Sequence, residues 1–361
     1  MQIITDRREL HRIPELDREL PKTVAYLTEA LKDMPCRVFS PAKGALCAFF
    51  DFGKSDAIAF RADMDALPIE ENSGTAFAST HPGKMHACGH DGHMAILLEL
   101  ARRLAYKTDL PHNVLLIFQP AEETMGGARP ICESGVLAQY SVGAIFGLHI
   151  WPGLEKGRIF CRENEMMSHA SEVNVDIYGR SAHIAKASSG IDAMMAGAEF
   201  LRQTAGAEAA YPEHIYRLLK FGRMESGTVR NAIAAHTRLE GSLRAFQDEV
   251  FDGLKQSLFD IASRVETQFG CRVEVSLSEG YPAVMNDPAL FQQVAAVLPL
   301  ADPGAPSMTT EDFSWYQRYV PGLFFWLGAG DAPALHSNDF DFDEAILTRG
   351  ADFFEALAEK F

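Results

Sequence analysis

EVNVDIYG, residues 172–179, decides how the chain divides. Val173, Val175 and Ile177 alternate with polar residues, the period-two pattern of a half-buried strand, and Gly179 leads out into a loop. Toward the C-terminus follow a helical stretch at 191–206, strand-like segments at 215–223 and 237–244, a helix at 247–269 and a strand at 272–278. Strand, helix, strand, strand, helix, strand is the order of a ferredoxin-like two-layer unit. About 100 residues are enough for such a unit to fold alone. The stretch 171–278 therefore reads as an inserted α+β domain.

Residues 1–170 and 279–361 differ in character. Residues 5–34 read as helix broken near Pro14 and Pro21. Segments 45–52, 57–62, 114–119 and 143–150 are short apolar runs suited to buried strands. Between them, 91–107 has apolar residues at helical spacing and a basic last turn that suits the helix dipole. GLFFWLGAG (322–330) adds an apolar strand before a final helix. This pattern predicts a two-domain α/β protein: a mixed-sheet larger domain with helices on both faces, interrupted by the inserted one. A chain of 361 residues has room for both cores.

Charge and composition exclude several functions. A net charge of -16 argues against a nucleic-acid partner and against docking on anionic lipid. No apolar run reaches the roughly 18–20 residues that span a bilayer. The opening MQIITDRRELHRIPEL is charged and offers no signal-peptide core, so a cytoplasmic location is expected. Six scattered cysteines without CxxC pairs do not read as a disulfide framework. Five read as reduced packing residues, and Cys88 stands apart because of its neighbours.

HACGHDGH (86–93) packs His86, Cys88, His90, Asp91 and His93 into eight residues before a predicted helix. Imidazole and thiolate are the usual ligands of zinc and related divalent ions. Alternate spacing in an extended turn would point Cys88 and His90 to one side, while His86 and His93 read as supporting residues. FQPAEET (118–124) places two adjacent carboxylates where an apolar strand runs out. Like charges raise each other's pKa, and a metal resolves the conflict by taking one carboxylate and leaving the other as general base. His149 in FGLHIWP and His336 in ALHSNDFDFDE sit at strand ends. With Cys88, His90 and one carboxylate of the pair they make five ligands, too many for one catalytic zinc and suited to two bridged metals. Asp63 and Asp65 in FRADMDALPIEE are placed to orient ligating histidines.

In combination, RRELHRIPEL, RADMDALPIEE, MHACGHDGHM, FQPAEE, GLHIWP, TEDFSWY and ALHSNDFDFDEA resemble the metallopeptidase family of aminoacylases, hippurate hydrolase, auxin-conjugate hydrolases and bacterial N-acetyldiaminopimelate deacetylase. The motifs run in order from about residue 7 to the C-terminus. The resemblance implies a catalytic domain with two divalent metals (zinc, manganese or cobalt) and an inserted lid through which subunits form a homodimer. It makes Cys88, His90, Glu123, His149 and His336 the ligands, with Glu122 the base for attack by a metal-bridging water on an N-acyl amino acid. Two adjacent residues on a strand face opposite sides, so the strand must end or bend at Glu122 and Glu123. In the lid, GRSAH (179–183) brings His183, SGTVRNAIA brings Asn231 and GSLRAF brings Arg244, positions similar to the family's substrate-binding residues.

There is one departure. After His183 this chain reads IAKASSGIDAM, with Lys186 and no Pro or second His where the family's amidohydrolase branch carries them. The acyl and side-chain preference is thereby left open. A metallo-dipeptidase or carboxypeptidase of the same family is the alternative, and a cysteine hydrolase using Cys88 a more distant one.

Overall fold

The computed structural model describes residues Met1–Phe361. It divides into two compact units, the first comprising Met1–Met166, Met285–Pro306 and Asp312–Phe361, the second Met167–Val284 and Ser307–Glu311. No helix is long and apolar enough to cross a membrane.

The first unit is built on a seven-stranded mixed sheet. In spatial order its strands are Arg37–Phe39, Leu46–Phe50, Asn113–Gln119, Ala57–Asp63, Val142–Trp151, Gly322–Gly328 and Ile159–Phe160. The four from Asn113–Gln119 to Gly322–Gly328 run parallel, and antiparallel strands finish both edges. Parallel strands need cover on both faces, which is why AIAFRAD and NVLLIFQ are buried along their whole length. On one face Ile58, Phe60 and Ala62 join Met94, Leu97 and Leu98 of the helix His90–Leu104 and Phe354 and Leu357 of the helix Ala345–Lys360 in a single core. On the other, Gly147 leaves room for Phe313 of the 3-10 helix Asp312–Arg318: a Cβ there would come within 2.8 Å of the ring.

The second unit carries the four strands His169–Tyr178, Arg217–Ser226, His236–Ala245 and Arg272–Leu277, all pairing antiparallel. Spatially the fourth lies beside the first, the first beside the third and the third beside the second. With the helices Ala193–Ala209 and Asp248–Phe269 packed on its apolar face, this is the ferredoxin-like arrangement. Val173, Val175 and Ile177 are completely buried in that core, as their alternation requires.

Candidate metal centre

The carboxyl ends of the parallel strands gather the chemistry of the first unit. In open α/β sheets this is where ligands bind, because the loops leaving adjacent strands diverge there. Asp63 ends one strand opposite Gln119, the last residue of its neighbour, and His149 lies near the end of the next.

The turn bearing Cys88 and His90 is not extended. Gly89 takes a left-handed φ of 86°, and His90 is already the first helical residue. A left-handed glycine followed at once by a helix turns the two side chains to one side by bending the backbone. His336, with an unusual φ of 65°, is set beside them by its own N–H, which donates to the Ala87 carbonyl at 2.8 Å.

The strand carrying FQ stops at Gln119, and Ala121 adopts a φ of 59°, so the two glutamates leave the strand before their direction is fixed. A left-handed alanine is strained, and such strain persists only where surrounding contacts over-determine it. Here the Asp65 carboxylate does so: one oxygen accepts from the Glu122 N–H at 2.9 Å and the other from the Glu123 N–H at 3.0 Å. Gly127 closes the loop, since a Cβ there would lie 1.8 Å from the Pro120 carbonyl oxygen.

These elements bring all six residues together. The ligand atoms of Cys88, His90 and His149 lie within 4.8 Å of one another, as do those of Cys88, Glu123 and His336 and those of His90, Glu122 and Glu123. Cys88 Sγ is 3.4 Å from His149 Nε2, and Glu123 Oε1 is 3.2 Å from His336 Nε2. His90 Nδ1 donates to the Asp65 carbonyl at 2.8 Å and His149 Nδ1 to the Ile150 carbonyl at 2.6 Å. Each ring therefore turns a bare Nε2 into the cluster. His90 Nε2 is buried there without a hydrogen bond.

Burial pushes the Cys88 thiol well up, helped by the Glu123 and Glu122 carboxylates. It pushes both His90 and His149 down, so both imidazoles are neutral. Glu123 falls below the usual carboxylate range: burial opposes its charge, and His336 and His90 outweigh it. A soft thiol, neutral imidazoles and carboxylates in one buried space form a donor set that fits divalent cations of the zinc type.

Around this set, Asp63 Oδ1 accepts from His93 Nδ1 at 2.6 Å, and His93 Nε2 accepts from the Ile150 N–H at 2.9 Å. His93 thus supports the backbone beside His149. Asp65 orients His90 through its main-chain carbonyl, while its carboxylate serves the glutamates. His86 is buried with neither ring nitrogen hydrogen-bonded, and burial pushes its pKa down to about 3. Behind His90, Asp91 accepts from Arg7 at 2.9 Å and from His11 at 2.8 Å, and His11 reaches Glu71 on its other side.

The motif reading missed Arg61, Gln119 and Asp312, which form a completely buried hydrogen-bonded group beside the loop. The signal for it was present: an arginine inside the apolar run AIAFRAD needs buried acceptors.

His183, Asn231 and Arg244 all belong to the second unit. His183 bridges to Ala232, and the Asn231 carbonyl accepts from the Ile184 N–H, so these two are neighbours. Both side chains are exposed. Arg244 lies elsewhere, eight residues along the strand from His236 and paired with Ala170, where it donates to Ser242 Oγ and the Met308 carbonyl. Strand geometry puts it about 27 Å from His236, toward the opposite end of that strand. The divergent stretch after His183 forms an exposed 3-10 helix, Ile184–Ser189, whose start is capped by His183 Nδ1 accepting from the Ala185 N–H.

The sequence pattern of peptidase family M20/M25/M40 matches residues 59–360. The chain belongs to the M20 peptidase family. An uncharacterized hydrolase of Staphylococcus epidermidis is 35% identical, with 98% of this chain and 97% of the relative covered. An N-acetyldiaminopimelate deacetylase of Lacticaseibacillus paracasei is also 35% identical, over 96% and 94%. A dinuclear metal-binding M20 peptidase of Bacillus subtilis superposes with a TM-score of 0.85 at 31% identity, over 99% and 96% of the two chains. The protein is a hydrolase of this M20 family.

Proposed function

We propose that this M20 hydrolase is a two-metal amidohydrolase that cleaves the amide bond of N-acylated amino acids. Cys88, His90, Glu123, His149 and His336 hold the cations. The supporting observation is the buried, unpaired His90 Nε2, facing a space where the ligand atoms of Cys88, Glu123 and His149 also converge. When bound, two divalent cations supply Lewis acidity at the scissile carbonyl and make a water acidic near neutral pH. Zinc suits the thiolate best, and manganese or cobalt also suits imidazole and carboxylate.

The chain's own groups do the rest. Glu122 takes the proton of the attacking water and returns it to the leaving amine. Asp65 holds the glutamate loop in place for that transfer. His183, whose Nδ1 accepts a backbone hydrogen bond, carries its proton on Nε2 and donates it to the developing oxyanion. Arg244 offers a planar fork to the substrate carboxylate, with Asn231 as a further polar contact. In a single chain, the bridge from His183 to Ala232 and the strand His236–Ala245 set His183 and Arg244 apart. The reading therefore includes a homodimer through the second unit, in which His183 and Asn231 serve the partner's active site.

The cysteine-hydrolase alternative fares poorly on the same geometry. With the thiol pushed up and the His149 imidazole down, a charged nucleophile–base pair is disfavoured, and Glu122, Glu123 and His336 would have no task. Given the relatives, N-acetyldiaminopimelate is the first substrate to try, followed by N-benzoyl amino acids and dipeptides. Turnover of this panel should vanish with a strong chelator and return with zinc, manganese or cobalt. Activity that survives chelation and dies with iodoacetamide would overturn the proposal, and preference for dipeptides would move it to the peptidase alternative.

A further inference from the structure

Asp312 is completely buried at the start of its 3-10 helix and touches three separate pieces of the first unit. Its two oxygens accept from Gln119 Nε2 at 2.7 and 2.8 Å, and one of them also accepts from the Ala128 N–H at 3.0 Å. Gln119 is the residue before the loop 120–127, and Ala128 is the residue after it. That loop carries Glu122 and Glu123. Asp312 thus ties off its neck, at the point where Gly127 already brings the two chain segments into contact.

A buried carboxylate needs a cation, and Arg61 provides it. Its Nη2 donates to Asp312 at 2.8 Å, its Nε to Gln119 Oε1 at 2.9 Å, and its Nη1 to Asp63 Oδ2 at 2.6 Å. Tyr316 adds a hydroxyl donor to the same Gln119 oxygen at 3.1 Å. Through the other oxygen of Asp63 the group continues to His93, the Ile150 N–H and the backbone beside His149. A planar guanidinium with three directed bonds fixes angles as well as charge. The glutamate loop and the His149 strand are therefore aligned by one rigid, dry group, built from RADMDALP, FQPAEE and TEDFSWY.

We propose that Asp312, braced by Arg61, is a positioning residue for hydrolysis: it sets where the Glu122 carboxylate stands relative to the cluster without touching substrate. The inference rests on the assignment of Glu122 as the base. Residues that orient a metal site from behind its ligands typically change affinity or activity by about 10–100-fold when replaced. Asp312→Asn keeps the shape but turns an amide group toward the Gln119 and Ala128 donors.

The test is steady-state kinetics on the metal-loaded enzyme, normalised to folded protein and metal content. For Asp312→Asn, kcat should fall about thirtyfold while KM stays within about threefold, with metal content unchanged. Combining it with Glu122→Asp should give a loss smaller than the product of the two separate losses, because both act through one carboxylate's position. A residue that only supports the fold would lower melting temperature and the folded fraction, leave kcat per folded enzyme near wild type and combine multiplicatively. Either of those last two results overturns the inference. If Asp312→Asn does not fold, Arg61→Lys, which keeps the charge but loses the fork, is read by the same criteria. If Glu122→Gln instead retains wild-type turnover, the assignment of Glu122 fails first, and the two failures are told apart.

Discussion

The two units place similar residue types in opposite physical settings. In the first, Cys88, His90, His149 and Glu122 are buried, and Asp63, Asp65, His93 and Arg61 fix their surroundings. In the second, His183 and Asn231 are exposed, beside a short 3-10 turn on a ferredoxin-like sheet. Preorganised groups in a dry setting stabilise developing charge without reorganising, whereas exposed groups can adapt to different ligands. We propose a division of labour on that basis: proton transfer at the rigid cluster, and contacts to the substrate's oxyanion and carboxylate from side chains of the second unit.

The most severe test of that division is Glu122→Gln, for which kcat should fall by about 10³-fold. A large change in KM instead would make Glu122 a binding residue and erase the contrast.

Next in size is His183→Ala. Losing an oxyanion donor should lower kcat by about 10²-fold. Mixing inactive His183→Ala and Glu122→Gln chains should restore activity, up to about a quarter of wild type for random dimers. No recovery on mixing would place both residues in the same chain's active site.

Arg244→Lys should raise KM about tenfold with little change in kcat, since an ammonium cannot reproduce the two-pronged contact. An equal loss in kcat would show that Arg244 acts in the transition state rather than in binding the substrate carboxylate.

The last prediction concerns stability and leaves turnover aside. His11 is pushed up to about 9: burial works downward, and the Asp91 carboxylate beside it outweighs that. A raised histidine contributes stability that is fully present below its ordinary value of 6.5 and is lost as pH rises through about 9. Denaturant unfolding at a series of pH values should show a loss of at most about 3 kcal/mol across that window. The slope should be absent in His11→Gln, and an unchanged slope would remove His11 from the support behind His90.

Much of this was legible in the sequence because the informative residues are close together. HACGHDGH and the glutamate pair announce a metal-type donor set within short windows, and the alternation in EVNVDIYG marks the second sheet. What escaped depends on backbone detail or on distance along the chain. The left-handed turns at Gly89 and Ala121 decide where Cys88, His90 and the two glutamates point, and neither follows from a period-two or helical pattern. The partnership of Arg61 with Asp312 joins residues 251 positions apart, visible beforehand only as a charge in a strand that otherwise excludes it. The separation of His183 from Arg244 needs the register of the second sheet.

The central claim is that five convergent ligands hold two cations while Glu122 moves the proton. Metal content and turnover measured together on reconstituted Glu122→Gln test it most directly. The variant should hold about two metal ions per chain, as in the wild type, with turnover of N-acyl amino acids essentially abolished. Wild-type turnover in that variant, or no metal bound by the wild type, would contradict it.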